Sequence, residues 1–227
     1  MRSGDHLALG VDGWKKGWVG VWLDKQGFVA ARTAAKITRL IEAGPDARAI
    51  GVDIPIGWPA TGNRACDDAA RKAVGQRWPS VFMTPPRKAL EASSFTAAVA
   101  VCNRLNVQVL SLQAYSLAAK IFEVEAVARV DRRVVEVHPE VSFAAMMGEP
   151  LQYPKKSWAG MRQRLNLLAA AGIELPNDLP DAGEVPPVDV IDAAAAAWSA
   201  RRYLGSEANA LGSPQFDSTG RRVTIWF

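Results

Sequence analysis

Only two cysteines occur in the 227 residues, Cys66 and Cys102, and they form no CxxC pair. They suggest neither a zinc site nor a disulfide framework. Both lie in alanine-rich, helix-favouring surroundings, where a free thiol packs as a small apolar side chain. No stretch reaches the roughly 18 consecutive apolar residues of a membrane span. Residues 1–6, MRSGDH, carry neither the apolar run nor the small-residue cleavage site of a secretory leader, so a soluble, cytoplasmic protein is expected. A large charge of one sign is missing as well: 27 Lys/Arg stand against 23 Asp/Glu, a net +4. The excess is uneven. Residues 61–133 carry 11 basic and 6 acidic side chains, residues 134–227 carry 8 and 11. A basic middle segment suits a polyanionic partner, and equally an ordinary solvated surface. There is no internal repeat, and no low-complexity run beyond Ala193–Ala197.

What is present is apolar content: 49% of residues are hydrophobic, enough for one domain over 1–227. Residues 7–12 read as a buried strand, Gly17 to Leu23 as a second and Phe28 to Thr33 as a third, with a turn at 24–27. Residues 35–43 predict a short helix stopped by Gly44-Pro45, and 49–53 a fourth strand, parallel to the first through that crossover. From 55 to about 130 the pattern is helical, with helices over 63–75, 91–104 and 111–129. The last of these carries a stripe of Leu112, Tyr115, Ala119, Phe122 and Ala126. Residues 134–138 predict a fifth strand. Pro139 suits the start of a helix that Gly148 ends, and Ser157 suits the cap of the next. A proline-rich acidic loop, 174–187, precedes a last helix over about 188–204, and 223–227 is a final strand or an extended cover. This order predicts an α/β fold of the ribonuclease H-like kind. It has a central mixed five-stranded sheet, an antiparallel meander of strands 1–3 followed by parallel strands, with helices flanking. A helical insertion at about 55–130 follows strand 4.

Acidic residues recur in one context. The runs LALGV and AIGV end in Asp12 and Asp53, and VDVID, with Asp189 and Asp192, opens the last helix. Residues that end strands lie at the sheet edge where open α/β sheets bind ligands. Two carboxylates side by side repel, and a divalent cation relieves the repulsion. Oxygen ligands of this kind suit Mg²⁺ or Mn²⁺. Asp12, Asp53 and Asp192 are therefore the candidate metal ligands, with Asp189 on the same helix face. Each acid also has an ordinary explanation, as a turn residue or helix cap. Glu136 and Glu140, around His138, form a second cluster with a catalytic or a structural role. Arg64, Arg71, Arg87 and Lys88, together with Lys15, are candidates for holding phosphate; local pairing such as Asp67 with Arg71 is the alternative.

The segments GVDGWKKGWVGVWL (10–23), GVDIPIGWP (51–59), RACDDAARKAVG (64–75), SVFMTPPR (80–87), VVEVHPEVSF (134–143) and DVIDAAAAAWSA (189–200) resemble the DUF429 family, predicted nucleases with a ribonuclease H-like fold. The resemblance implies acids on the first strand, the fourth strand and the last helix, which here are Asp12, Asp53, Asp189 and Asp192. The paired helix acids look most like the Holliday-junction resolvase branch, although that branch commonly has Glu where Asp53 stands. The leading expectation is a metal-dependent nuclease acting on DNA or RNA. A nucleotide-dependent phosphotransferase of the same fold is the second, because GVDGWKKGW also resembles the first phosphate loop of sugar kinases. A non-catalytic binding module is the third.

Overall fold

A computed structural model describes residues 6–59 and 62–227. The reading of residues 1–5 lies outside them. Five strands form one sheet: β1 (Leu7–Trp14), β2 (Gly17–Asp24), β3 (Gly27–Ala34), β4 (Ala47–Val52) and β5 (Val134–Glu136). Their order is β3-β2-β1-β4-β5. β1 pairs antiparallel with β2, and β2 with β3; β4 is parallel to β1 and β5 to β4. This is the mixed sheet that the ribonuclease H-like order predicts, with the first strand central. A central strand covered on both faces needs a continuous apolar run, and β1 is buried from Ala8 to Asp12. β3, at the edge, is buried at Gly27 and Ala31 alone. At the β2–β3 turn the Asp24 carboxylate accepts from the backbone N–H groups of Gln26 and Gly27, which fixes the chain reversal.

Helix α1 (Ile37–Ala43) makes the crossover from β3 to β4. Helices α2 (Ala65–Ala73), α3 (Arg87–Leu90), α4 (Phe95–Arg104), α5 (Leu112–Ser116) and α6 (Ala118–Val130) lie between β4 and β5. The helix expected over 111–129 is thus broken at Leu117. Its buried face differs as well: Ile121, Val124 and Ala128 are buried, while Leu112 is 64% exposed. The inserted helices do not stand apart from the sheet. Leu90, Ala98, Ile121 and Val124 pack with Leu9, Val11, Ile50 and Val52 in one core. Helices α7 (Pro139–Met147), α8 (Trp158–Ala170) and α9 (Pro187–Leu204) follow. Phe143 and Leu168 pack with Val19, Val21 and the alanines of α9 in a second core. The tail makes a single parallel bridge from Trp226 to Val137, extending the sheet beyond β5. Among the described residues no helix is long and apolar enough to cross a membrane.

The decisive packing is that of α9 on β1 and β4. Alternate residues of a strand face one side, so Ala8, Gly10 and Asp12 share a face, as do Ala49, Gly51 and Asp53. The four small residues let the helix lie against the strand backbone. A Cβ at Gly10 would sit 2.0 Å from Ala197 N and 2.1 Å from Ala193 O; one at Gly51 would sit 2.7 Å from Ala196 O. Ala200 closes the same seam against Ala8 and Ala49. The alanine run of α9 is the helix half of this close approach.

Candidate metal centre

The acids that follow those small residues meet at one end of the seam. Asp12 lies within β1, two residues before its end rather than at its last position. Asp53 follows β4 directly, and its N–H donates to Val11 O at 2.9 Å, which holds it beside Asp12. Asp192 is on the second turn of α9 and 1% exposed. One carboxylate oxygen from each of Asp12, Asp53 and Asp192 lies within 4.8 Å of the others. Asp189, one turn earlier on α9, stands half-buried at the rim.

Three carboxylates this close resist ionising together. Burial, then Asp53 and Asp192, hold the Asp12 carboxyl well above the usual aspartate range. Burial likewise raises Asp192, against the pull of Lys155, and raises Asp53, against His138 and Lys155. Asp189 is raised by burial and by Asp192. Lys155 Nζ donates to Asp192 Oδ2 at 2.5 Å. Burial would lower its ammonium, but Asp192 and Asp53 more than offset this and hold it above the ordinary lysine value. One lysine does not balance the cluster. The other Asp192 oxygen, Oδ1, is buried and has no hydrogen-bond partner among the described residues. A buried carboxylate oxygen without a donor is costly, and a cation shared with Asp12 and Asp53 would satisfy it. The donor set is all hard oxygen, which fits Mg²⁺ or Mn²⁺ better than a soft metal.

The centre opens into a cleft of about 570 Å³ whose walls include Asp53, Thr84, His138, Lys155, Lys156 and Asp189. The remaining sequence candidates divide around it. Glu136 also faces this cleft but belongs to a separate buried knot. Its Oε2 accepts from Ile56 N at 2.6 Å and from Arg64 Nη2. Arg64, 2% exposed, further donates to Thr84 Oγ1 at 2.9 Å and lies 3.6 Å from Asp67. Burial pushes the Glu136 carboxyl up to about 7 despite Arg64. Arg64 is therefore committed to carboxylates, and the knot ties β5, α2 and the 82–86 loop together. Both carboxylate oxygens of Glu140 accept from Nη2 of the buried Arg164, each at 2.7 Å. Arg71 donates to Val81 O, and Arg87 pairs with Glu91 and Glu125. Lys15 is exposed in the turn between β1 and β2. None of Arg64, Arg71, Arg87 and Lys15 lines the cleft of the three aspartates.

Lys155 and Arg164 went unnoticed in the sequence. Lys155 precedes the Ser157 cap in an irregular stretch with no periodicity to mark it, and Arg164 sits inside a helix where an arginine ordinarily faces solvent. Compared with known protein families, residues 10–215 match the profile of DUF429, described as a protein of unknown function. No curated protein and no solved structure matches the chain.

Proposed function

The chain belongs to the DUF429 family, and we propose that it is a Mg²⁺- or Mn²⁺-dependent hydrolase of phosphodiester bonds with nucleic acid as its substrate. The observation that carries this reading is the convergence of Asp12, Asp53 and Asp192 within 4.8 Å, with Asp192 Oδ1 left unpartnered. Those three residues would hold the ion, which when bound supplies the positive charge that stabilises phosphoryl oxygens and leaving group. Lys155 fixes Asp192 through Oδ2 and leaves Oδ1 free to take an ion. Asp189, on the rim, has the freedom to exchange a proton with a bound substrate, which the Arg164-clamped Glu140 lacks. Lys156, on the cleft wall, adds positive charge where a phosphate would enter. The reading assigns the activity to the cytoplasm, where the two buried free thiols stay reduced.

Titration of Mn²⁺ into the wild type and Asp12→Asn tests the site, followed by cleavage of labelled single- and double-stranded DNA and RNA. Binding and cleavage in the wild type, both lost in Asp12→Asn, are expected. Unchanged turnover in Asp12→Asn would sink the hydrolase. Thermal stabilisation by ATP, with no effect of nucleic acid, would instead favour phosphotransfer.

A further inference from the structure

The loop after β4 is a shared wall. Asp53, Ile54 and Pro55 line the acidic cleft, while Ile56, Gly57 and Trp58 line a second cleft of about 430 Å³ on its other side. The second cleft has the opposite charge. Among the described residues Arg87, Arg129, Arg132 and Arg221 face it, against Glu125 and Asp217. Both acids are already engaged. Glu125 pairs with Arg87 and Arg129, and Asp217 accepts from Thr219 Oγ1 and from the Arg221 backbone N–H.

The arginines from α6 and from the 215–222 hairpin are more than 80 residues apart in sequence, yet the fold places them together. Arg221 spends its guanidinium on two backbone carbonyls, those of Ala128 and Val134. Its charge is thereby anchored without being neutralised. Burial, and then Arg132, weaken its hold on the proton, so two guanidiniums are held where they disfavour each other. Arg132 is exposed, and no hydrogen bond or ion pair engages it among the described residues. It also lines an adjoining groove beside Arg222 and Phe216, a residue that is 54% exposed. Unrelieved like charge calls for an anion, as the aspartates call for a cation. Exposed rings beside arginines suit stacked bases.

We infer that this arginine cleft grips the sugar-phosphate backbone of a nucleic acid whose scissile bond lies over the aspartates across the 53–58 loop. The inference rests on the hydrolase reading for its substrate, but its chemistry is separate. Here the basic excess of residues 61–133 finds a use, through Arg87, Arg129 and Arg132.

The test uses the full chain in EDTA with fluorescein-labelled single- and double-stranded oligonucleotides, read by anisotropy across a salt series. Arg129→Ala/Arg132→Ala is the variant. Both residues are exposed and neither donates to the backbone, so the fold is preserved. Arg104→Ala, an exposed arginine of α4 outside the cleft, is the single-charge control. The double variant should bind at least about tenfold more weakly, with a salt slope shallower by about 2, while Arg104→Ala binds as wild type. Equal weakening in Arg104→Ala, or undiminished affinity in the double variant, overturns the inference and leaves metal-dependent cleavage intact. The expected loss of binding in a protein that cleaves nothing with Mn²⁺ overturns the hydrolase and leaves the arginine cleft standing.

Discussion

At Asp12 the features that prepare for a cation also weaken the fold without one. Its carboxyl is raised in the folded state by burial and by Asp53 and Asp192, so the folded protein holds that proton more tightly than the unfolded chain. Stability from this group is complete below the ordinary aspartate pKa and is lost as pH rises through the folded value. At neutral pH and without metal, the buried Asp12 carboxyl therefore opposes folding. Asp12→Asn removes the charge while keeping an acceptor for Gly13 N, which now donates to Oδ1 at 2.6 Å. The metal-free variant should melt roughly 2–8 °C above wild type at pH 7, taking a relief of 1–2 kcal/mol in a chain of this length. The gain should vanish at about pH 2.5, well below the ordinary aspartate pKa, where the carboxyl is protonated in both states. Differential scanning calorimetry in EDTA at the two pH values measures this. A variant less stable than wild type at pH 7 would mean that Asp12 is held by something other than its need for a cation.

Among the elements, the contact of α9 with β1 and β4 joins packing to chemistry. Gly10→Ala places a methyl group where Ala197 N and Ala193 O already lie, 2.0 and 2.1 Å away, so the helix must lift or tilt. Overpacking of this kind costs about 1–3 kcal/mol. Because Asp192 rides on that helix, the displacement also separates it from Asp12 and Asp53. Gly10→Ala is thus expected to keep its helical circular dichroism at low temperature while binding Mn²⁺ at least about tenfold more weakly, as titration of the folded variant would show. Wild-type affinity would mean that the alanine seam does not set the ligand distances. The sequence carried much of this architecture. The meander, β4 and the acids that follow their apolar runs stood out because a central sheet needs unbroken apolar runs. The bounds of α7 were legible because Pro139 and Gly148 act locally. The break at Leu117 was not, since residues 111–129 favour helix throughout and tertiary packing chose the kink. Nor were the partners of the arginines legible. Glu136 lies 72 residues from Arg64 and Glu125 lies 38 from Arg87, so spacing within a helix pointed to local pairs or free cations instead.

For the whole molecule, the two clefts set opposite requirements on one polyanionic ligand. Arg164 answers Glu140, and Arg64 is shared by Glu136 and Asp67. This leaves the four aspartates at 12, 53, 189 and 192 facing Lys155 and Lys156. Without metal that end of the molecule repels phosphate, while the arginine cleft attracts it. Association should therefore respond to two separable terms: salt weakens the attraction, and a divalent ion removes the repulsion. Replacing two ligands with amides mimics the second term without the chemistry. In EDTA, Asp12→Asn/Asp53→Asn should bind labelled oligonucleotide roughly tenfold more tightly than wild type, since like charge opposing a ligand costs affinity. Addition of Mn²⁺ should then strengthen the wild type towards the variant and leave the variant unchanged. Anisotropy titrations with and without metal resolve the two terms. If the double variant gains nothing in EDTA, the bound strand does not approach the aspartates, and the arginine cleft serves a ligand that never reaches the carboxylate site.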